Sequence, residues 1–199
     1  MTCISLLVLF GVLATGIGIP HDYYFDIEKG SKLFIEGSSN VNSFECESKD
    51  EFLNQLSRIT VSDDERSFNF TSTSLRLKTA LLDCDNNKMN RDLCEALRSE
   101  DYPYITIDLH DAVIIEGSPK RLDSNFIVRC NASIAITSVT RKVSLDVKAK
   151  NLGNGRFRFY STMQLLITDY GVAPPTALLG LIKVRNSIRI VLDITTRAR

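Results

Sequence analysis

The chain has 199 residues, 44% hydrophobic and 24% charged, enough for one domain with a real core or two small ones. Its 24 lysines and arginines balance its 24 aspartates and glutamates, which removes any general electrostatic reason to seek nucleic acid or an anionic membrane. No run of like charges and no low-complexity tract points to a disordered interaction tail.

The N-terminus reads MTCISLLVLFGVLATGIG. Ile4 to Ala14 is an apolar stretch of secretory-signal length, followed by the small residues Ala14, Gly16 and Gly18, although no Lys or Arg precedes it. A signal peptide over residues 1–18 and one domain over 19–199 are expected, with a periplasmic or secreted location. Cys3 lies ahead of the apolar stretch, on the wrong side for lipid attachment.

Short strands are predicted over Lys32–Gly37, Ser43–Glu47, Ile59–Val61, Ser67–Phe70 and Leu75–Leu82. Ser48 to Leu56 reads equally as strand or helical turn, and Asp63-Asp64-Glu65-Arg66 reads as a charged turn. The period then changes. Met89, Leu93, Ala96 and Leu97 fall at i, i+4, i+7 and i+8, one face of a helix from about Lys88 to Ser99. Asp85, Asn86 or Asn87 can cap its start and Pro103 forbids its continuation. Its apolar face suits the cover of an open sheet end.

Alternation returns with Ile105, Ile107 and Leu109, and Glu116–Lys120 reads as a connection. Phe126, Val128, Cys130, Ala132, Ile134 and Ile136 share one face. After a turn at Ser138–Arg141, Val143, Leu145, Val147 and Ala149 share a face opposite Lys142, Ser144, Asp146, Lys148 and Lys150, which makes a hairpin with one dry side. Asn154-Gly155 predicts the next turn. Phe157, Phe159, Met163, Leu165 and Ile167 continue the pattern, and Ile188, Ile190, Leu192 and Ile194 end it, opposed by Arg189 and Asp193. Between them Pro174-Pro175 fixes a loop whose Ala177, Leu178, Leu179, Leu181 and Ile182 are too apolar for free solvation. The expected class is therefore all-β: an antiparallel barrel or sandwich of about eight strands with one short lid helix.

Removing the signal leaves Cys46, Cys84, Cys94 and Cys130 as disulfide candidates. Three pairings are open. Cys46 with Cys84 and Cys94 with Cys130 is preferred, against four buried thiols acting as small hydrophobes. Metal is not expected, because no CxxC exists and His21 and His110 are the only histidines. His110 and Asp169 would be the residues to test for catalysis, but no GxSxG elbow, phosphate loop or HExxH accompanies them, so no enzyme and no required cofactor are expected. Asn69-Phe70-Thr71 and Asn131-Ala132-Ser133 match the glycosylation sequon on predicted strands.

Three blocks carry a resemblance: GSKLFIEGSSNVNSFEC (30–46), LLDCDNNKMNRDLCEALRSEDYPYITIDL (81–109), and ASIAITSVTRKVSLDV (132–147) with LLITDYGVAPPTALLG (165–180). In order and spacing the chain resembles the YceI-like family of exported lipid-binding proteins. That resemblance implies a lipocalin-like antiparallel barrel with an elongated apolar interior, and for some members a bound polyisoprenoid such as an isoprenoid quinone or prenyl pyrophosphate. Asn42 and Asn90 stand where family members often carry histidine, and Ser138 stands where the hairpin usually has Gly. The expected lining is Phe126, Val128, Ile134, Leu145, Phe157, Phe159, Met163, Leu165, Ile190 and Leu192. Arg141, Lys183 and Arg185 are the candidates for head-group contact, with Lys142 and Arg189 nearby in sequence. The expected partner is a small apolar lipid. Transient membrane contact and a homodimer stay open, and a filled-core interaction module acting through its loops is the alternative.

Overall fold

The structure, a computed structural model, describes residues 21–50, 57–62, 64–177 and 181–198; the expected signal peptide over 1–18 and most of the Ser48–Leu56 ambiguity lie outside them. The strands are β1 (His21–Ile27), β2 (Lys32–Ser38), β3 (Ser43–Ser48), β4 (Ser57–Val61), β5 (Ser67–Lys78), β6 (Leu82–Asp83), β7 (Tyr104–Gly117), β8 (Asn125–Ile136), β9 (Val139–Gly153), β10 (Arg156–Leu166), β11 (Thr176–Ala177), β12 (Ile182–Lys183) and β13 (Ser187–Ala198). Among the described residues one α-helix, α1 (Asn87–Ala96), interrupts them.

Pairing is antiparallel throughout and the sheet returns on itself. β1 pairs with β4 on one edge and with the end of β13 on the other, so β1-β4-β5-β7-β8-β9-β10-β13 is a closed ring of eight strands. At the opposite end β2 occupies the same edge of β13, Arg189 facing Glu36 and Asp193 facing Lys32, and β3 and β6 continue the wall from there. Ser31, between β1 and β2, accepts from the Thr195 amide at 3.0 Å and ties both segments to β13. Closure leaves few unpaired edge groups, the usual hazard of an open sheet. Of the barrel and sandwich that the alternation left open, the structure is the barrel, with the lipocalin-like form and short helix that the resemblance implied.

β8 shows the period-two logic most clearly. Phe126, Val128, Cys130, Ala132, Ile134 and Ile136 are buried while their neighbours are not. Across the Thr137–Ser138 turn β9 pairs with all of β8, from Asn125–Lys150 to Ile136–Val139. The Asn154-Gly155 turn has both residues in the left-handed region, φ 53° and 71°, as a two-residue hairpin requires.

Several boundaries differ from the sequence expectation. Ser67–Phe70 and Leu75–Leu82 are not two strands: β5 runs through with a register shift between Asn69 and Thr73, and a 3-10 turn at Thr79–Leu81 separates it from β6. A bulge breaks the alternation that sequence reading needs. β7 extends through the predicted connection to Gly117, where φ is +75° and an added Cβ would sit 2.6 Å from the Asn125 carbonyl oxygen. α1 ends at Ala96, short of Ser99, because Arg98 turns to φ 51°. β10 stops at Leu166, and Ile167 belongs to a 3-10 turn closed by Gly171 at φ 71°. β1 was not anticipated, its HDYYFDI lacking clean alternation.

Candidate apolar ligand site

The inward faces form two apolar clusters, one toward each end. The first gathers Leu33, Ile35, Cys46, Leu77, Ile107, Ile134, Ile136, Tyr170 and Ile190 among others, with Met89, Leu93 and Ala96 of α1 packed on it. The second gathers Ala112, Ile114, Phe126, Val128, Cys130 and Ala149, with Phe68, Phe70, Phe157 and Phe159 against them. Leu145 touches both. Phe157 is the hub of the second, its ring 6.3 Å from those of Phe126 and Phe159 and 6.5 Å from Phe25.

The wall is uneven. On β8 every inward residue is fully buried. On β9, β10 and β13 most are not: Val143, Leu145, Val147, Phe157, Phe159, Met163, Leu165, Ile188, Leu192 and Ile194 point inward yet keep accessible surface. The ten residues expected to line a ligand therefore divide. Phe126, Val128, Ile134 and Ile190 are fully buried; Leu145, Phe157, Phe159, Met163, Leu165 and Leu192 are half-buried.

Polar chemistry inside is sparse. Ser161, 3% exposed, donates to the Asp146 carbonyl at 3.2 Å, and Thr79 donates to the Pro103 carbonyl at 3.1 Å. Charge runs along the outside: Arg129 to Asp146 at 2.7 Å, Arg158 to Asp193, and Arg189 to Glu36 at 2.9 Å. Glu28 accepts from both Arg156 and Arg197, and those hydrogen bonds hold its carboxyl below the usual range. Hydrogen bonds from Arg129 and Arg158 do the same for Asp146 and Asp193.

α1 covers the first cluster because its start is fixed three times. Asn86 accepts from the Lys88 and Met89 amides. Asn90 accepts from the Cys84 amide at 2.8 Å and donates to Asp83 at 2.9 Å. Cys84 is bonded to Cys46 of β3. Asn90 thus has a bracing role that the sequence did not disclose. Asn42 likewise accepts from the Ser39 hydroxyl at 2.9 Å and shapes the β2–β3 turn.

The preferred second disulfide is corrected: Cys94 and Cys130 are free thiols. Cys94 rides on α1 over the first cluster, while Cys130 lies in the second, where burial, assisted by the charges of Asp111 and Asp146, pushes its thiol up to about 12. Of the head-group candidates, Arg185 lines a depression of about 1160 Å³ between β2–β3 and β10–β13, with Glu36, Glu45, Phe44, Ile188 and Arg189. Arg141 instead donates to the Asp169 carbonyl at 2.7 Å, and Lys183 is held by its backbone to Asn40, so the three do not converge on that depression. A second depression, about 480 Å³, lies on the outer face by Ile127, Lys148, Lys150, Arg158 and Tyr160.

His110 Nε2 is 2.7 Å from the Ser133 hydroxyl on the exposed face. Among the described residues no three of His, Cys, Asp and Glu gather to hold a metal, and no helix is long and apolar enough to cross a membrane.

No protein-family model matches the chain, and no curated protein matches it in sequence. Solved structures do match. A polyisoprenoid-binding domain from Saccharophagus degradans, implicated in plant cell wall breakdown, aligns with a TM-score of 0.65 at 10% identity, over 88% of this chain and 98% of that one. BcnA of Burkholderia cenocepacia aligns with a TM-score of 0.61 at 13% identity, over 85% and 99%. The YceI protein of Campylobacter jejuni aligns with a TM-score of 0.51 at 15% identity, over 70% and 78%. The chain has the YceI-like fold.

Proposed function

We propose that the chain is a non-enzymatic binding or carrier protein for one long apolar lipid, a polyisoprenoid chain in its barrel, acting in the periplasm or outside the cell. The observation that carries this reading is the uneven wall: most inward residues of β9, β10 and β13 keep accessible surface, Ala149, Ser161 and Ile190 excepted, while all those of β8 are sealed. A solid core would bury both walls alike. From Val143 to Val147, from Phe157 to Leu165 and from Ile188 to Ile194 those half-buried residues are apolar, as a chain without polar groups requires, with Thr196 the polar one at the end of β13, and each methylene buried contributes about 0.8 kcal/mol. The fold is shared with a domain described as binding polyisoprenoids. The Cys46–Cys84 disulfide fits an oxidising compartment.

Titration with a fluorescent polyene of isoprenoid length tests it. Saturable binding of about one per chain is expected, weakened at least about tenfold in Met163→Trp and Leu165→Trp, whose added volume occupies the space beside β10. Unchanged binding in both folded variants would reject the interior as the site.

A further inference from the structure

Two loop tips at the α1 end of the barrel are joined side by side. The Asn40 side chain donates to the Leu181 carbonyl at 2.9 Å and accepts from the Lys183 amide at 2.8 Å, and its own amide donates to the Lys183 carbonyl at 3.1 Å. Ser39 and Val184 form a bridge beside them, and the Arg185 amide donates to the Ser38 carbonyl at 2.8 Å. This weld displays Val41, 64% exposed, next to the β11–β12 hairpin that carries Leu181, 73% exposed. A singly exposed aliphatic such as Leu122 is ordinary, but here two are brought together on joined loop tips.

The charge around them is mainly positive. The Thr137 hydroxyl donates to the Tyr170 carbonyl at 2.8 Å, and the Ile167 amide donates to the Asn186 carbonyl at 3.0 Å. The β8–β9 turn, the Ile167–Tyr170 turn and the segment after β12 therefore make one continuous rim. It carries Arg141, Lys142, Lys183 and Arg185, all exposed, against Asp169 on the rim itself, with Glu45 and the Arg189–Glu36 pair beside Arg185 in the depression below it. α1, which enters from β6 and leaves into β7, sets Lys88 and Arg91 against Asp92 and Glu95, and Asp83, Asp85, Glu100 and Asp101 flank it. The positive side of this end is thus the rim.

We infer that this rim docks on an anionic phospholipid bilayer, with Val41 and Leu181 entering the interface and Lys183, Arg185, Arg141 and Lys142 resting on head groups. Apolar tips beside basic residues are the combination that reversible interfacial binding uses, each cation adding severalfold to the partition. The inference rests on the carrier reading, since it supplies the membrane with which a lipid would be exchanged.

Flotation of the full chain with phosphatidylcholine vesicles, with and without phosphatidylglycerol, tests it. Binding is expected with phosphatidylglycerol and should fall as salt rises. Val41→Asp with Leu181→Asp should lower the partition at least about tenfold, and Lys183→Glu with Arg185→Glu by a comparable factor. Leu122→Asp, at the opposite end and also exposed (67%), should change nothing. Differences from the parent chain are read, so that any contribution of the apolar stretch Ile4–Ala14 cancels. Equal binding of parent and rim variants overturns the inference, as does a rim substitution that abolishes self-association while leaving vesicle binding intact. Fluorescent polyene binding is measured in the same variants. Its retention with lost flotation supports the rim as a docking surface separate from the lipid site, whereas loss of polyene binding in the parent itself would strike the carrier reading alone.

Discussion

Glu28 sits where β1, β10 and β13 meet and receives hydrogen bonds from Arg156 and Arg197. Its carboxyl is lowered in the folded chain, mainly by those two bonds. A lowered carboxylate stabilises the fold above the ordinary glutamate range, and that contribution is lost as pH falls through this range toward the folded value, because the unfolded chain takes up the proton first. Urea midpoints should therefore decline below about pH 5, and Glu28→Gln should flatten part of the slope. An unaltered slope would show that the seam is held by its backbone alone. Cys130 gives a second test at this scale. At 7% exposure and with its thiol near 12, it should resist Ellman's reagent at about pH 8 in the folded chain and react once the chain is unfolded. Rapid labelling in the native state would contradict the sealed β8 wall.

α1 is held at its N-terminal end by Asn86, Asn90 and the Cys46–Cys84 bond, which closes a loop of 38 residues. Replacing both cysteines by alanine should lower stability by about 3–4 kcal/mol on the loop-entropy relation, read from chemical unfolding. A loss below about 1 kcal/mol would place the helix's anchorage in its apolar contacts instead. Elements of this kind were readable where one period persisted. β8 alternates from Phe126 to Ile136, and β9, β10 and β13 carry shorter alternating runs at Val143–Ala149, Phe157–Leu165 and Ile188–Ile194, so all four could be assigned directly. β5 could not, because its bulge near Asn69 shifts parity midway. The N-cap was narrowed to three neighbours and is Asn86, but Asn90's bracing of Cys84 depends on how the helix meets β6, which no spacing reveals. The first disulfide was preferred correctly. The second was not, because the sequence does not show that α1 sits over one cluster while Cys130 faces the other.

At the scale of the whole molecule, closure is the decisive property. β1 and β2 share one edge of β13 end to end, and this division of a long strand between two short partners lets eight strands form a ring with a second wall beyond it. Alternation could indicate dry inward faces; it could not indicate that β8 would be sealed while most inward residues of β9, β10 and β13 kept accessible surface, since that depends on barrel width rather than on parity. The candidate lining was thus legible as a face, and its division into four sealed and six half-buried residues was not. The central claim is that this interior holds one long hydrocarbon chain. Chloroform–methanol extraction of the purified folded protein, followed by mass spectrometry of the extract and of the intact complex, tests it most directly. The account predicts an isoprenoid lipid released at about one per chain, in keeping with one barrel per chain. Protein that carries no extractable lipid, and binds none when offered it, would contradict the account.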